Sequence, residues 1–290
     1  MEHTTRRTFI RDLSMGALML HPGMASLFPM RDSMRLGLVT YLWGKDWDVP
    51  TIIRNCTETN ILGVELRTEH AHGVDPGIST AQQQEVRKRF ADSPVTLVGL
   101  GTNQDYHHPD PAKLKASIDR TKEFIRLSHA VGGSGVKVKP NAIPKEVPVV
   151  KTIEQIGNSL NEVARYALDY GQEIRVEVHG EVTQELPVLK AILDVADHPN
   201  VRVCWNCNDQ DLWGDGLEAN FNLVRDRFGS TVHVRELNIG PYPYQELIGL
   251  LTSSRYKGWI LLECRTDPAD KVQAMKQQYE VFKDLIRKAG

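Results

Sequence analysis

From Leu36 onward, short runs of alternating apolar and polar residues are separated by longer segments with apolar residues every three or four positions. The first period is that of a strand with two different faces, the second that of a helix with one apolar stripe. The strand-like runs are LGLVTY from Leu36, GVELR from Gly63, VTLVGL from Val95, GVKVK from Gly135, IRVEVH from Ile174, VRVCWN from Val201, TVHVREL from Thr231 and WILLECR from Trp259. Helices are predicted over 49–60, 81–91, 111–131, 152–170, 186–196, 217–228, 244–254 and 268–288. The third carries Leu114, Ile118, Ile125 and Val131 among polar neighbours, a clear stripe. Eight strands alternating with helices is the count that closes a parallel barrel. A doubly wound sheet is the alternative, but no G-x-G-x-x-G follows the first run, where such a sheet would hold a dinucleotide. The expected fold is therefore α/β, a single (β/α)8 TIM barrel over residues 34–290.

Side-chain parity sharpens this picture. Val64 and Leu66 share one face of their strand while Glu65 and Arg67 share the other, and Val136 and Val138 oppose Lys137 and Lys139 in the same way. Val176 and Val178 stand against Arg175, Glu177 and His179; Val232 and Val234 against His233 and Arg235; Ile260 and Leu262 against Leu261, Glu263 and Arg265. The surrounding helices need the apolar face, so the charged face must look into the barrel. Buried charges are costly unless paired or bound to metal, and a purely structural barrel would place Val, Ile and Leu there. The interior is thus expected to be functional.

The first thirty-three residues lie outside this pattern. Thr5, Arg6, Arg7, Phe9, Ile10 and Arg11 stand in the order of a twin-arginine export signal, followed by an apolar run from Leu13 to Leu20. Residues 1–33 therefore read as a leader, and the folded protein as exported or periplasmic. The apolar run is too short for a bilayer core of about 30 Å, so no membrane span is expected. With 35 Lys plus Arg against 37 Asp plus Glu, a net charge of -2 and 41% hydrophobic residues, the chain has ordinary soluble composition and no footprint for nucleic acid. Cys56, Cys204, Cys207 and Cys264 are too few and too scattered for a disulfide scaffold. The C-x-x-C pair at Cys204 and Cys207 lacks the second pair or flanking histidines of a zinc site.

Glu177, His233 and Glu263 fall near the C-terminal ends of their strands, where barrel enzymes carry their chemistry. Two carboxylates and an imidazole converging there suit a divalent ion such as Mn, Mg, Co or Zn. The sixth strand offers Asn206 by parity, or Asp209 just beyond it, as a further ligand. Lys139 points into the same mouth, where it can steady a developing oxyanion, whereas Lys137, deeper in the barrel, reads as a structural partner of Glu65 or Glu177. Arg67, His70 and His72 after the second strand, and His107 and His108 after the third, sit on loops where specificity resides, and a second metal among these histidines is one reading of them. Trp43 offers an apolar platform for a sugar ring, while Trp205 has outward parity and reads as core.

These strand-end motifs, VEVHG at Glu177, WNCNDQD at Asn206, VHVRE at His233 and LLECR at Glu263, resemble the sugar phosphate isomerase/epimerase group with xylose isomerase-like TIM barrels, which includes ketose 3-epimerases and hydroxypyruvate isomerases. The resemblance covers most of the chain after the leader. It implies that Glu177, Asn206, His233 and Glu263 hold a divalent metal, that Glu177 and Glu263 also act as catalytic acid and base, and that the substrate is a small carbohydrate. Arg67, His70, His72, His107, Asp209 and Arg265 are the expected substrate contacts, with Lys139 assisting catalysis. Two positions depart from the family: Asn206 stands where it has Asp, and Asp209 where it commonly has a substrate-binding His. An amide brings no charge to a metal, so weaker affinity is expected. The implied activity is isomerisation or epimerisation of a sugar or keto-sugar by proton abstraction beside a carbonyl, through an enediolate. Elimination of the aglycone from a 3-keto-glycoside would use the same base and metal. A sugar-binding barrel without catalysis is the third reading, and the oligomeric state is left open.

Overall fold

The computed structural model describes residues 34–290; the expected leader lies outside the described residues. Eight parallel strands close in sequence order into a barrel: β1 (Arg35–Val39), β2 (Gly63–Arg67), β3 (Thr96–Asp105), β4 (Gly135–Lys139), β5 (Glu173–Glu177), β6 (Val201–Asn206), β7 (Phe228–Val234) and β8 (Trp259–Leu262), with β8 pairing back onto β1. Around them run α1 (Val49–Thr59), α2 (Thr80–Ala91), α3 (Pro111–Val131), α4 (Val149–Leu168), α5 (Leu186–Val195), α6 (Leu217–Val224), α7 (Tyr244–Ser253) and α8 (Lys271–Ala289). Local chemistry marks the helix ends. Asp48 caps α1 by accepting from Thr51 N at 2.9 Å, and Ser79 and Gln82 form a reciprocal capping box on α2. Gly132 ends α3 with φ 92°, a conformation glycine adopts without steric penalty.

The parity argument holds. Val64, Leu66, Val136, Val138, Val176, Val178, Val232, Val234, Ile260 and Leu262 are buried between barrel and helices, forming one continuous apolar layer. Inside, Val39, Val98, Trp259 and Leu261 form a small separate apolar floor. Glycines make room for its large members: a Cβ on Gly63 would come within 2.5 Å of the Trp259 ring, and one on Gly135 within 2.7 Å of Arg175 Cζ. Arg175, fully buried, crosses this level and donates to Glu173 Oε2 (2.8 Å), Val98 O (3.0 Å) and Ser134 Oγ (2.8 Å). Glu173 also accepts from Ser230 Oγ at 2.6 Å. Burial would raise its pKa, but Arg175 and Ser230 hold it below the ordinary carboxylate value.

Several element boundaries differ from the sequence expectation by a few residues, and three of them have a clear physical reason. The sixth helix does not reach Phe228: α6 stops at Val224, a 3-10 turn covers Arg225–Arg227, and Phe228 opens β7. Its ring stacks on Trp205 (centroids 5.8 Å apart, 15° between planes), a tertiary contact stronger than the local helical pattern. β3 runs on to Asp105, past the end expected from its apolar run, because Gly101 and Asp105 pair with Lys137 and Lys139 across a register shift. The last helix begins at Lys271 rather than Pro268, where Asp270 accepts from Gln273 N.

Candidate active site

Above the apolar floor, β2, β4, β5 and β7 send Glu65, Lys137, Glu177 and His233 inward, each at most 1% exposed. Glu263, one residue past β8, lies slightly higher and is 8% exposed. Lys137 Nζ donates to Glu177 Oε2 at 2.6 Å and to Thr102 O at 3.2 Å. Burial alone would lower the ammonium pKa, but Glu177, Glu263 and Glu65 outweigh that and raise it above the ordinary value. Burial likewise works against the Glu177 carboxylate, yet Lys137 and His233 draw its pKa well below the ordinary value. The opposite holds for Glu263, which burial and the nearby Glu177 charge push up. These two carboxylates therefore sit in environments that separate their proton affinities.

His233 is the hub. Its Nε2 lies 3.2 Å from Glu65 Oε1, and its Nδ1 lies 3.6 Å from Glu177 Oε1 and 3.9 Å from Glu263 Oε2. Burial would lower the imidazole pKa, but Cys204, Glu65 and Glu177 leave it well above the ordinary value. Glu177, His233 and Glu263 place one ligand atom each within 4.8 Å of the others. Nδ1 is buried without a hydrogen-bond partner, and its spacings are too long for hydrogen bonds. Bonds of about 2.1 Å at tetrahedral angles put neighbouring donor atoms about 3.4 Å apart. The donor set and the orphaned Nδ1 thus fit a divalent ion.

Three of the four expected ligands meet. Asn206, buried between them, donates Nδ2 to Glu177 Oε1 at 3.1 Å. Asp209 does not reach the interior: it is exposed at the start of a 3-10 turn, and Asn208 is buried in its stead, donating to Val178 O and Asn206 O. Lys139 is half-buried at the mouth and donates to Asn103 Oδ1 at 3.2 Å, which also accepts from Arg67 Nη2 at 3.2 Å. Burial, then the neighbouring Lys137 charge, lowers the Lys139 pKa. His70 lies 3.4 Å from Arg67 Nη1, so these two expected substrate contacts adjoin. His72 is committed elsewhere: Nε2 meets Arg67 O at 2.7 Å and Nδ1 accepts from Val74 N at 3.0 Å, a structural role in its loop. Arg265 is exposed, with its side-chain charge felt by His179. Trp43 is no sugar platform, being buried in the apolar layer with its indole donating to Thr266 O, whereas Trp205 is core, as its parity predicts. All four cysteines are free and buried.

Two residues of this site have no functional role in the sequence reading. Glu65 Oε1 lies against His233 Nε2 at 3.2 Å, the carboxylate–imidazole contact that commonly accompanies a ligand ring; its inward parity suggests a structural partner for Lys137, and nothing local shows the imidazole across the barrel. His179 is half-buried, its Nδ1 lacks a partner, and burial lowers its pKa while Glu177 and Lys139 act on it electrostatically. Its parity with Glu177 was the available signal.

The turn after β6 carries a titrating group of its own. Asp211 is buried, with Oδ2 accepting from Asn208 N (3.0 Å) and Tyr242 OH (2.6 Å) and Oδ1 unpartnered. Burial pushes its pKa from 3.8 up to about 7. Because the folded form holds the proton more tightly, this stabilisation is complete below pH about 4 and is lost as pH rises through about 7. Asp211→Asn is expected to remove about 2–3 kcal/mol of pH dependence between pH about 5 and 8. Melting midpoints of both proteins at the two pH values check this; equal slopes would refute it.

A closed parallel barrel with carboxylates and an imidazole at its C-terminal mouth defines the class of (β/α)8 proteins with a polar, titratable interior. Residues 53–285 match the family described as xylose isomerase-like TIM barrel, and the chain belongs to that family. No curated protein matches the sequence significantly. Among solved structures, an L-ribulose 3-epimerase superposes with a TM-score of 0.76 at 15% identity, covering 88% of this chain and 95% of its own. The 3-keto-D-glucoside 4-epimerase of E. coli gives 0.74 at 14%, covering 87% and 100%. The IolI protein with a bound zinc atom gives 0.75 at 13%, covering 89% and 99%. At such identities these likenesses show the fold.

Proposed function

We propose that this protein is a metal-assisted isomerase or epimerase of a small sugar or keto-sugar, acting by proton abstraction beside a carbonyl through an enediolate. The observation that carries this reading is the convergence of Glu177, His233 and Glu263 around an orphaned imidazole nitrogen at the barrel mouth. Glu177, His233 and Glu263, with Asn206 alongside, are the residues that would hold the ion. When bound, it supplies Lewis-acid polarisation of substrate oxygens. Glu177 and Glu263 come from strands separated by β6 and β7, so they can flank one carbon, one carboxylate oxygen removing its proton and the other returning it. Lys137 holds Glu177 ionised and in place through its 2.6 Å bond. Lys139, Arg67 and His70 line the entrance and offer donors to substrate hydroxyl and carbonyl oxygens. The two epimerases named above support a sugar as substrate.

A second reading, release of the aglycone from a 3-keto-glycoside, uses the same proton abstraction. It is favoured by the export-type leader, since unphosphorylated glycosides are met outside the cytoplasm, and by the want of a glycine-rich phosphate cradle in the sequence. The test is incubation of the metal-loaded protein in D2O with free ketoses and 3-keto-glycosides, following epimer formation, aglycone release and deuterium incorporation separately. Epimer formation with label supports the first reading, and aglycone release the second. Binding without exchange in any compound would overturn both in favour of a sugar-binding barrel.

Asn206→Asp adds a charge to the ligand set and is expected to tighten divalent-ion binding by roughly tenfold or more. Metal titration of both proteins checks this. Unchanged affinity would remove Asn206 from the ion's surroundings.

A further inference from the structure

We propose that Asp105, His107 and His108 form a second divalent-cation site, of the two-histidine, one-carboxylate kind, separate from the Glu177–His233–Glu263 cluster. All three residues stand at the end of β3, where Asp105 pairs with Lys139 of β4. Asp105 Oδ1 lies 3.0 Å from His108 Nε2 and 3.4 Å from His107 Nδ1, and the two rings lie 4.3 Å apart. The three ligand atoms fall within 4.8 Å of one another. An ordinary Asp–His pair presents one imidazole to one carboxylate. Here two imidazole nitrogens converge on a single oxygen, and both Asp105 Oδ1 and His107 Nδ1 are buried atoms with no hydrogen-bond partner. A cation satisfies all three donors at once.

The surroundings hold this arrangement ready. Asn141 Nδ2 donates to Asp105 Oδ2 at 2.9 Å, which turns Oδ1 towards the imidazoles as an outer-shell partner of a metal ligand does. Gln155 Nε2 donates to Tyr106 O (2.8 Å) and His108 O (2.9 Å), and the buried Tyr106 hydroxyl meets Thr121 Oγ1 at 2.9 Å, so the backbone carrying both histidines is pinned. The side chains are 13–33% exposed, which leaves an approach for an ion. Two imidazoles and a carboxylate suit Zn2+ or Co2+ rather than the all-oxygen sets of Ca2+ and Mg2+. Three protein ligands leave a position for an oxygen of water or of a substrate hydroxyl.

The test is equilibrium dialysis against Zn2+ followed by elemental analysis, a readout independent of any activity. The Glu177→Gln/Glu263→Gln protein, with native circular dichroism, is expected to retain about one equivalent, and further His107→Ala and His108→Ala to reduce this below about a tenth. Asp105→Asn alone, nearly isosteric, should weaken that binding at least about tenfold. If the Glu177 variant does not fold, the comparison is made in the otherwise unaltered protein, where the two histidine replacements should lower the bound Zn2+ by about one equivalent. Retention unaffected by those replacements, or no Zn2+ on the folded Glu177/Glu263 variant, overturns the site. Neither result bears on sugar turnover, so the two proposals fail separately.

Discussion

Replacing Glu177 or Glu263 by glutamine is expected to lower solvent-deuterium incorporation into a processed keto-sugar by about 10²–10⁴-fold each. Both changes nearly preserve shape while removing the charge and with it the capacity to take and return a proton. If the carboxylates work as an acid–base pair, the double variant should lose little more than either single one, because groups acting as a unit are not additive. Metal content must be measured beside the rates, since each carboxylate is also a candidate ligand. The outcome that sinks the two-carboxylate mechanism is retained exchange in both single variants at full metal loading. Glu177→Gln carries a second consequence. It leaves the buried Lys137 ammonium facing an amide, so this variant is expected to be the less stable of the two.

Arg175→Met is expected to cost about 3 kcal/mol of folding stability with no part played by the chemistry. Arg175 is fully buried and gives one hydrogen bond from each guanidinium nitrogen to the barrel floor, so the change removes a donor from Val98 O and from Ser134 Oγ, which stay bonded to each other, and leaves Glu173 without its counter-charge. Glu173 keeps its Ser230 bonds and some solvent contact, which places the loss at the low end for a broken buried pair. The check is the denaturant midpoint at unchanged slope. Adding Glu173→Gln in the Arg175→Met background should recover part of the loss, a coupling that a double-mutant cycle reads directly. A change below about 0.5 kcal/mol would show that the floor does not depend on this ion pair.

Much of the site was legible because strand parity is local. Glu177, His233 and Glu263 stand out from alternation and from their place at strand ends, and Lys137 from its depth as a structural partner of Glu65 or Glu177, of which the structure selects Glu177 for the hydrogen bond. Loop residues were less tractable. His72 looks like a substrate contact in the sequence, yet its ring closes hydrogen bonds inside its own loop. Asp209 and Asn208 are neighbours on an irregular turn, and only the 3-10 geometry selects Asn208 for the interior. His107 and His108 stand out in the sequence as loop histidines for which a second metal is one reading, but Asp105 does not, because the apolar run of β3 ends at Leu100 while pairing with β4 carries the strand to Asp105.

The periods of two and 3.6 residues, and the apolar composition of one face, suffice to establish eight strands, their order of alternation and the charged lining. These are properties of neighbouring residues and follow from backbone geometry alone. Which charges meet is another matter. His233 of β7 faces Glu65 of β2 because closure, tilt and stagger of the barrel set the height of every strand against those across the interior. The same closure puts Arg175 beneath and Lys137 beside the carboxylates. Pairing across the barrel depends on the shape of the closed sheet, and that exists only once all eight strands are in place.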